Sequence, residues 1–254
     1  MKSSIRIFAI TAAICLGFVF NANAGLVTIS SVTGHNGGQG HGEENGTLGE
    51  MIDLSGMNTT GNGTPDDPGS WLTSTNAWAD EWQSTSLLNS AISDNGKIGW
   101  VVIDLGSATA DLENVYIWHI RENNQRYAAT YNIYYATSPT VAVPPDPGST
   151  NTNADVGAAG GAGDYNFGSG GWTQLGGTQN GTFRGMQTIA LGGITARYIG
   201  LEILTNNGHA SRVGFAEIAV TEDAPVMEVV SSTPADGATL TTTPTTATFD
   251  FSLD

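Results

Sequence analysis

The stretch GWVVIDLG at residues 99–106 decides the fold, together with LENVYIWHI at 112–120 and TYNIYYAT at 130–137. In the first run, apolar and β-branched residues lead up to a closing glycine, Gly106. In the other two runs, alternate residues share one face, as Tyr131, Ile133 and Tyr135 do. A period of two bounded by Gly, Asn and Asp is typical of antiparallel strands with one buried face. The stretch therefore predicts three consecutive strands.

The rest of the chain continues this pattern. Short apolar or alternating runs predict further strands at residues 26–30, 172–175, 186–191, 196–204 and 214–221. No segment has the 3.6-residue periodicity of a helix of convincing length. About eight strands and no such helix predict an all-β protein, an eight-stranded antiparallel jelly-roll β-sandwich.

The first 24 residues have the layout of a secretory signal peptide. Lys2 and Arg6 form a positive start, residues 7–20 are apolar, and Ala22-Asn23-Ala24 is a cleavage site of the A-x-A type. The apolar run is too short for a membrane anchor, so we expect no membrane insertion. The single cysteine, Cys15, lies inside this segment, so the exported chain is expected to lack disulfides and thiolate chemistry.

The charge of the chain limits its partners. It has 8 basic and 24 acidic residues, a formal charge of −16, and removal of the signal leaves six basic residues and −18. Such a surface repels phosphate backbones and anionic lipid, so we expect no nucleic acid as a partner. Cations and neutral partners suit it, although solubility in a salty exterior is the simpler explanation.

Composition divides the chain into segments. Residues 25–222 are expected to form one monomeric β domain, followed by the linker EDAP and an incomplete Thr-rich β segment at 223–254. About thirty residues cannot form an independent sandwich, so either the chain is a fragment of a longer protein, which we expect, or these strands pair elsewhere. The Pro-, Gly- and Ala-rich insertion at 138–171 predicts an exposed loop, in which residues 164–167 are the ones suited to contact a ligand.

Two loops contain residue types that could bind metal ions. From Met51 onward, oxygen-bearing side chains recur among Gly and Pro turns: Asp53, Ser55, Asn58, Asn62, Asp66 and Asp67. These are the ligands that Ca²⁺ prefers, but Asx-rich loops are also formed by plain turns. The loop with His35 and His41 lacks a preorganised third ligand, which favours a surface loop over a metal site.

Three tryptophans lie near the first of these loops. An indole ring can plug the end of a sandwich or form a stacking face for a sugar ring. We expect Trp82, the nearest to the sheet, to be a plug, and both interpretations stay open for Trp71 and Trp78.

The order of these motifs resembles the discoidin family, or coagulation-factor type C domains, of the galactose-binding-like superfamily. The resemblance rests on WVVIDLG at 100–106, ARYIGLEIL at 196–204 and FAEIAV at 215–220, and it covers residues 26–221. MIDLSGM at 51–57 is similar to the D-G-S-G-L loop of that family, with Leu54 where glycine is usual. The tail VVSSTPADGATL at 229–240 resembles the start of bacterial Ig-like domains.

The resemblance implies a structural Ca²⁺ near the chain ends. Transferred to this sequence, the ligands are Asp53, the backbone of Ser55, Gly56 and Met57, and Glu217. Two carboxylates brought together there would repel each other unless a cation lay between them. The alternative is that Glu217 faces solvent.

The resemblance also implies a non-catalytic, secreted or cell-surface module that binds carbohydrate or mediates adhesion through loops at one end of the sandwich. Sugar recognition needs an aromatic face and planar polar groups. The candidate ligand-binding residues are Trp71, Trp78, His119, Arg121, Glu122, Asn123, Asn124 and Arg126. The alternative for the last five is a set of surface ion pairs and turn-forming asparagines.

Two other functional classes are weighed against this one. A structural or anchoring domain of a larger surface protein, without a small ligand, fits the incomplete C-terminal segment. A hydrolase is disfavoured, because the adjacent acids Asp66/Asp67 and Asp80/Glu81 should point apart rather than face each other. The sequence also has no serine-nucleophile, zinc-protease or phosphate-loop motif.

Overall fold

The structure is a computed structural model, and it describes residues 25–34, 48–54, 57–58, 68–73, 80–84, 98–143, 165–210, 212–223, 227–233 and 248–253. These residues form strands and two 3₁₀ helices, Leu48–Met51 and Pro68–Ser70. The strands are β1 Gly25–Leu26, β2 Ser31–Gly34, β3 Met57–Asn58, β4 Leu72–Thr73, β5 Trp82–Gln83, β6 Gly99–His119, β7 Ala128–Ala136, β8 Thr173–Gln174, β9 Gln179–Asn180, β10 Met186–Asn206, β11 Gly214–Glu222, β12 Met227–Thr233 and β13 Thr248–Leu253.

Two strands of 21 residues each, β6 and β10, form the centre of the fold. The first half of β6 pairs with the second half of β10, from Gly99↔Ile203 to Asp104↔Tyr198. The second half of β6 pairs with the first half of β10, up to the pair Trp118↔Met186. The two strands therefore run together through both halves of the sandwich.

The sequence predicted separate strands where β6 and β10 each run on without a break. Gly106 and the pair Gly192 and Gly193 have φ angles of 83°, 71° and 76°, which glycine adopts at little steric cost. The ladder between the two strands shifts register three times between Ala190 and Tyr198. Such irregularities bend and twist a strand without ending it, so the expected breaks are bends.

The described sheet has nine strands and is antiparallel throughout. Its main path is β1-β11-β6-β10-β7-β8, with β2 on β6, β5 on β11 and β9 on β7. The predicted all-β jelly-roll sandwich is confirmed, and the extra strands are two-residue pairings such as β5 and β9. Strands of this length leave no alternating pattern in a sequence.

One apolar core lies between the two halves. Val101 and Ile103 from the first half of β6 share it with Val115 and Ile117 from the second half. At one end of this core Trp82 is fully buried and stacks on Phe215, with ring centroids 6.4 Å apart. The prediction that Trp82 is a plug is confirmed.

A second aromatic cluster covers the outer face of β6, β7 and β10. It contains Trp100, Tyr165 and Phe167, and Tyr134 and Trp172 pack against it. The prediction of an exposed loop is wrong for the last part of the insertion, because Tyr165 and Phe167 are buried and cannot serve as surface contacts for a ligand. Residues 144–164 of the insertion lie outside the described residues.

The strand pairings bring several loops to the same end of the sandwich. Gly99 pairs with Ile203, Ala128 with Asn206, and His119 with Phe215. The segments beyond these strand ends are therefore neighbours. We call them the loop end and define it as residues 80–84, 119–127, 181–185 and 206–213.

The predicted flanking segments are described only in part. Residues 1–24, the expected signal peptide, lie outside the described residues. At the other terminus β12 and β13 pair antiparallel, from Met227↔Leu253 to Thr233↔Thr248. Within the described part of the chain, no helix is long and apolar enough to cross a membrane.

A test of the outer cluster uses Gly200, on which the ring of Phe167 packs so closely that a Cβ atom would overlap it. Gly200→Ala should lower the free energy of unfolding by about 2 kcal/mol, the usual size of an overpacking cost. In a Phe167→Ala background the same change should cost less, since its steric partner is gone. Urea unfolding measures both values. Gly177→Ala is the control, because a Cβ there meets nothing within 4 Å; equal costs in both backgrounds would contradict this packing.

Candidate functional site

The turn between β6 and β7 is formed by its asparagines. The side-chain oxygen of Asn123 accepts a hydrogen bond from the backbone N–H of Gln125 at 2.8 Å. Its carbonyl accepts the N–H of Arg126 at 3.1 Å. This is the turn chemistry that Asn provides in general. Asn123 therefore has the turn-forming role, whereas the side chain of Asn124 is exposed.

A buried carboxylate stabilises this turn by accepting hydrogen bonds from its backbone. Glu81 is 1% exposed and accepts the backbone N–H groups of Arg121 and Glu122 at 2.8 and 3.4 Å. It also accepts the side-chain amide of Gln83 at 3.1 Å. From the sequence alone, Glu81 is a candidate only as half of a disfavoured catalytic pair with Asp80. The structure gives it the role of fixing the turn.

An ion pair continues the network across the turn. Arg126 donates from Nη1 to Glu122 at 2.7 Å and to the Gln83 side-chain oxygen at 2.9 Å. The Gln83 amide in turn donates to Glu122 at 2.7 Å. Arg126 is buried, so the pair of Arg126 and Glu122 is a partly buried ion pair rather than the surface pair considered above. Such a pair adds little net stability, but it favours one geometry of the turn.

Burial raises the pKa of Glu81 to about 7, although the N–H groups of Arg121 and Glu122 oppose this shift. The carboxylate is thus placed where its charge is costly and where only hydrogen bonds offset that cost. The protonation of Glu81 is coupled to folding near neutral pH.

His119, predicted as a ligand contact, is instead a core residue. Its ring is fully buried among Tyr127, Tyr131 and Phe215. Burial lowers the pKa of His119, which favours the neutral ring, and a hydrogen bond to Gln187 opposes this shift. The alternation that placed it on the face of Val115 and Ile117 indicated this outcome already. A side chain enclosed in this way cannot reach a ligand at the surface.

Trp71 is also removed from the surface. It is 3% exposed and stacks on Trp118, with centroids 6.0 Å apart and an angle of 16° between the rings. Trp118 stacks in the same way on Tyr116 at 6.1 Å. Of the two interpretations left open for Trp71, packing is correct and the sugar-stacking face is wrong. Trp78 lies outside the described residues.

The aromatic surface at the loop end comes from residues that the sequence analysis missed. Tyr127 and Phe183 are half-buried, with ring centroids 6.2 Å apart. The guanidinium of Arg184 lies 4.9 Å from the centroid of the Phe183 ring. The Nε of Arg184 donates to the carbonyl of Arg121 at 3.0 Å, which ties the 181–185 loop to the Asn-rich turn. No motif marks residues 181–185; only the strand pairing brings them here.

A third loop is bonded onto the other side of the turn. The side-chain amide of Asn207 donates to the carbonyl of Asn124 at 2.8 Å. The backbone N–H of His209 donates to the carbonyl of Gln125 at 3.2 Å. The loop end is therefore held by hydrogen bonds between segments that are far apart in sequence.

The predicted metal ligand Glu217 lies elsewhere, on β11 beneath the loop that follows the first 3₁₀ helix. It is fully buried, and it accepts the N–H of Leu54 at 3.1 Å and that of Ile218 at 3.3 Å. Burial raises its pKa well above the ordinary value, and the nearby carboxylates of Asp53 and Glu50 raise it further. The alternative that Glu217 faces solvent is wrong.

The backbone of this loop has the conformation that the glycine of the family motif would supply. Leu54 has φ 64°, in the left-handed region that side chains other than glycine rarely adopt. The N–H of Met57 donates to the carbonyl of Leu54 at 3.0 Å, while Ser55 and Gly56 lie outside the described residues. Within the described ranges, no three His, Cys, Asp or Glu side chains group as a metal site. A site here would need backbone oxygens as well.

Glu81→Gln tests the buried network through its pH dependence. A folded pKa of about 7, against 4.5 ordinarily, means that the contribution of Glu81 is fully present below pH 4.5 and is lost as the pH rises through 7. We expect the melting temperature of the wild type to fall between pH 5 and pH 8, and this slope to be smaller in Glu81→Gln. Glu113→Gln, on the middle of β6, should keep the wild-type slope. Parallel pH profiles of Glu81→Gln and wild type would contradict the assignment.

No protein-family profile and no curated protein matches the chain. Solved structures do match it, at low identity. The family 32 carbohydrate-binding module of NanJ from C. perfringens, solved with galactose, is 14% identical with a TM-score of 0.41, over 78% of this chain and 99% of that chain. CpGH89CBM32-5 from Clostridium perfringens, in complex with GalNAc-β-1,3-galactose, is 10% identical with a TM-score of 0.43, over 77% and 98%.

Chitosan-binding module 1 of a chitosanase/glucanase from Paenibacillus sp. IK-5 is 15% identical with a TM-score of 0.37, over 77% of this chain and 97% of that chain. Family 32 modules are discoidin-like domains of the galactose-binding-like type.

Proposed function

We propose that this protein is a secreted or cell-surface, non-catalytic carbohydrate-binding module whose ligand lies at the loop end. The observation that carries the proposal is that aromatic rings and planar polar groups lie side by side at the loop end. Two half-buried aromatic rings, Tyr127 and Phe183, adjoin the guanidinium of Arg184 and the turn with Arg121 and Asn124. Sugar rings are recognised by an aromatic face for their C–H side and by planar polar groups for their hydroxyls.

The support beneath this surface also favours binding. Glu81, Gln83, Glu122 and Arg126 connect through hydrogen bonds of 2.7–3.4 Å and fix the turn from within. A binding surface that is ordered before the ligand arrives loses less conformational entropy on binding. The candidate contact residues of the turn are therefore held in place before a ligand binds.

The same network argues against catalysis at this place. Glycoside hydrolysis needs two carboxyl groups that face each other across the scissile bond. Glu81 is directed to backbone N–H groups below the turn, and Glu122 is paired with Arg126. Neither carboxylate is available as an acid or base for a ligand on the surface.

The binding proposal is tested with a glycan panel followed by calorimetry on the purified protein. Tyr127→Ala and Phe183→Ala should each weaken binding of any glycan that the wild type retains, by tenfold or more, because each removes part of the aromatic face. Tyr198→Ala is the control, since Tyr198 is a partly exposed ring in the middle of β10, away from the two ends of that strand at the loop end. Equal loss in the control would place the ligand elsewhere, and no binding of any glycan would favour an anchoring domain.

The proposal includes a structural Ca²⁺ held by Asp53, Glu217 and backbone oxygens of residues 55–57. The fit is supported by the fully buried carboxylate of Glu217. Its ionised form is disfavoured by burial and by two neighbouring carboxylates. A divalent cation would supply the missing positive charge. Its role would be to fasten the loop at Leu54 onto β11, near the start of the domain.

Chelator and Ca²⁺ test this site by thermal unfolding. Ca²⁺ should raise the melting temperature of chelator-treated wild type, corresponding to about 2.7 kcal/mol at a hundredfold excess over Kd. Glu217→Gln should lose this response and, in chelator at pH 8, be at least as stable as wild type, because it removes a buried charge. Glu222→Gln on the same strand should respond like wild type. A Ca²⁺ response retained in Glu217→Gln would refute the site.

A further inference from the structure

The basic residues of this chain are concentrated at one place. Five arginines follow residue 24, and four of them, Arg121, Arg126, Arg184 and Arg212, belong to the loop end. The fifth, Arg197, lies far along β10, where it forms a two-point ion pair with Asp104 at 2.9 Å. In a chain with 24 acidic residues, the loop end is thus an island of positive charge.

The arginines of this island lie close enough to repel each other. Burial lowers the pKa of Arg121, and the charge of Arg184 lowers it further. Burial likewise lowers the pKa of Arg212, and the charge of Arg126 adds to that effect. Placing like charges together costs free energy. The repulsion between these arginines therefore makes the loop end, the surface proposed for ligand binding, electrostatically unfavourable without a ligand.

The acidic groups near the turn offset this charge only in part. Glu122 is engaged by Arg126, and Glu81, with a pKa of about 7, is only partly ionised at neutral pH. Asp80 is the third carboxylate in the described part of the loop end. Positive charge therefore exceeds negative charge there, opposite to the sign of the whole chain.

Hydrogen-bond donors without acceptors at the loop end also favour an acidic ligand. The Nε of Arg126, a residue that is 8% exposed, has no acceptor among the described residues, and neither has the Nη1 of Arg212. Buried donors without acceptors are rare in proteins and call for a partner. Two arginine N–H groups of the loop end thus lack an acceptor within the part of the chain that the structure describes.

We propose, building on the carbohydrate-binding function above, that the loop end selects acidic saccharides, whose carboxylate or sulfate group is bound by the guanidinium groups of Arg121 and Arg184. The planar guanidinium matches the geometry of such oxyanions and can bind them through two hydrogen bonds. Arg184 is exposed and is held next to Arg121 by the bond from its Nε to the Arg121 carbonyl. The neighbouring rings of Tyr127 and Phe183 contact the apolar side of the sugar.

The negative charge of the remaining surface adds selectivity to this arrangement. An anionic polymer is repelled by most of the molecule and attracted only at the loop end. It can therefore bind in few orientations, since electrostatic complementarity acts on orientation and rejects wrong contacts. Binding should weaken as salt concentration rises, because exposed charges are screened.

The test compares paired oligosaccharides by calorimetry at 50 and 300 mM NaCl: an oligogalacturonide against the neutral galacto-oligosaccharide of the same length and linkage, and a sulfated galactan oligosaccharide against its desulfated form. Wild type should bind at least one acidic member tenfold or more tightly than its neutral partner. Which acidic member binds distinguishes carboxylate from sulfate. Arg184→Met, which keeps an unbranched apolar stem and removes the charge, should bring the ratio of acidic to neutral affinity close to one.

Arg197→Met is the matched control, because it makes the same change in net charge in the middle of β10, away from the loop end, and should keep the wild-type ratio. Neutral members bound as tightly as acidic ones would overturn acidic selectivity and leave the carbohydrate-binding function intact. The same weakening in Arg184→Met and Arg197→Met would also overturn it, because the attraction would then be nonspecific. Binding of neither kind of oligosaccharide here or in the glycan panel would overturn the carbohydrate-binding function itself.

Discussion

The continuous pairing of β6 with β10 is the constraint on which the other features depend. Because each strand passes through both halves of the sandwich, the same ladder aligns the two halves. It also brings both ends of each strand to one end of the molecule: Gly99 and His119 of β6, and Met186 and Asn206 of β10. The loops that begin or end at these positions are therefore close together in space. The loop end is thus a consequence of strand length, and its hydrogen bonds only refine an arrangement that the backbone has already imposed.

Most of the architecture could be predicted because it follows from a period of two. The alternation of Val115, Ile117 and His119 correctly identifies a core face, and it even places His119 inside, against its expected role as a ligand contact. What the pattern could not predict is where a strand bends instead of ending. A glycine at positive φ looks the same in sequence whether it closes a strand, as expected at Gly106, or lets it continue.

The candidate site was less accessible from the sequence. Residues of a single turn, such as Arg121 and Asn124, could be named as candidates because composition marks a turn. Glu81 and Arg184 were missed, because their importance comes from contacts across 40 and 63 positions of the sequence. Glu217 was found only through the family resemblance, since nothing in the alternation of β11 marks a buried carboxylate. Local chemistry can be inferred from local sequence, whereas a polar network between distant segments requires the topology.

The aromatic cluster on the outer face has a consequence for how this chain can vary. Tyr165 and Phe167 attach the last part of the insertion to the sheet, and Tyr165 also donates to the carbonyl of Val141 at 2.7 Å, near where the insertion leaves the sheet. The two attachment points are thus fixed independently of what joins them. Closing a longer connection costs only about 0.6 kcal/mol for each doubling of its length. We therefore expect that residues can be added or deleted between Val143 and Tyr165 with little effect on the stability of the sheet.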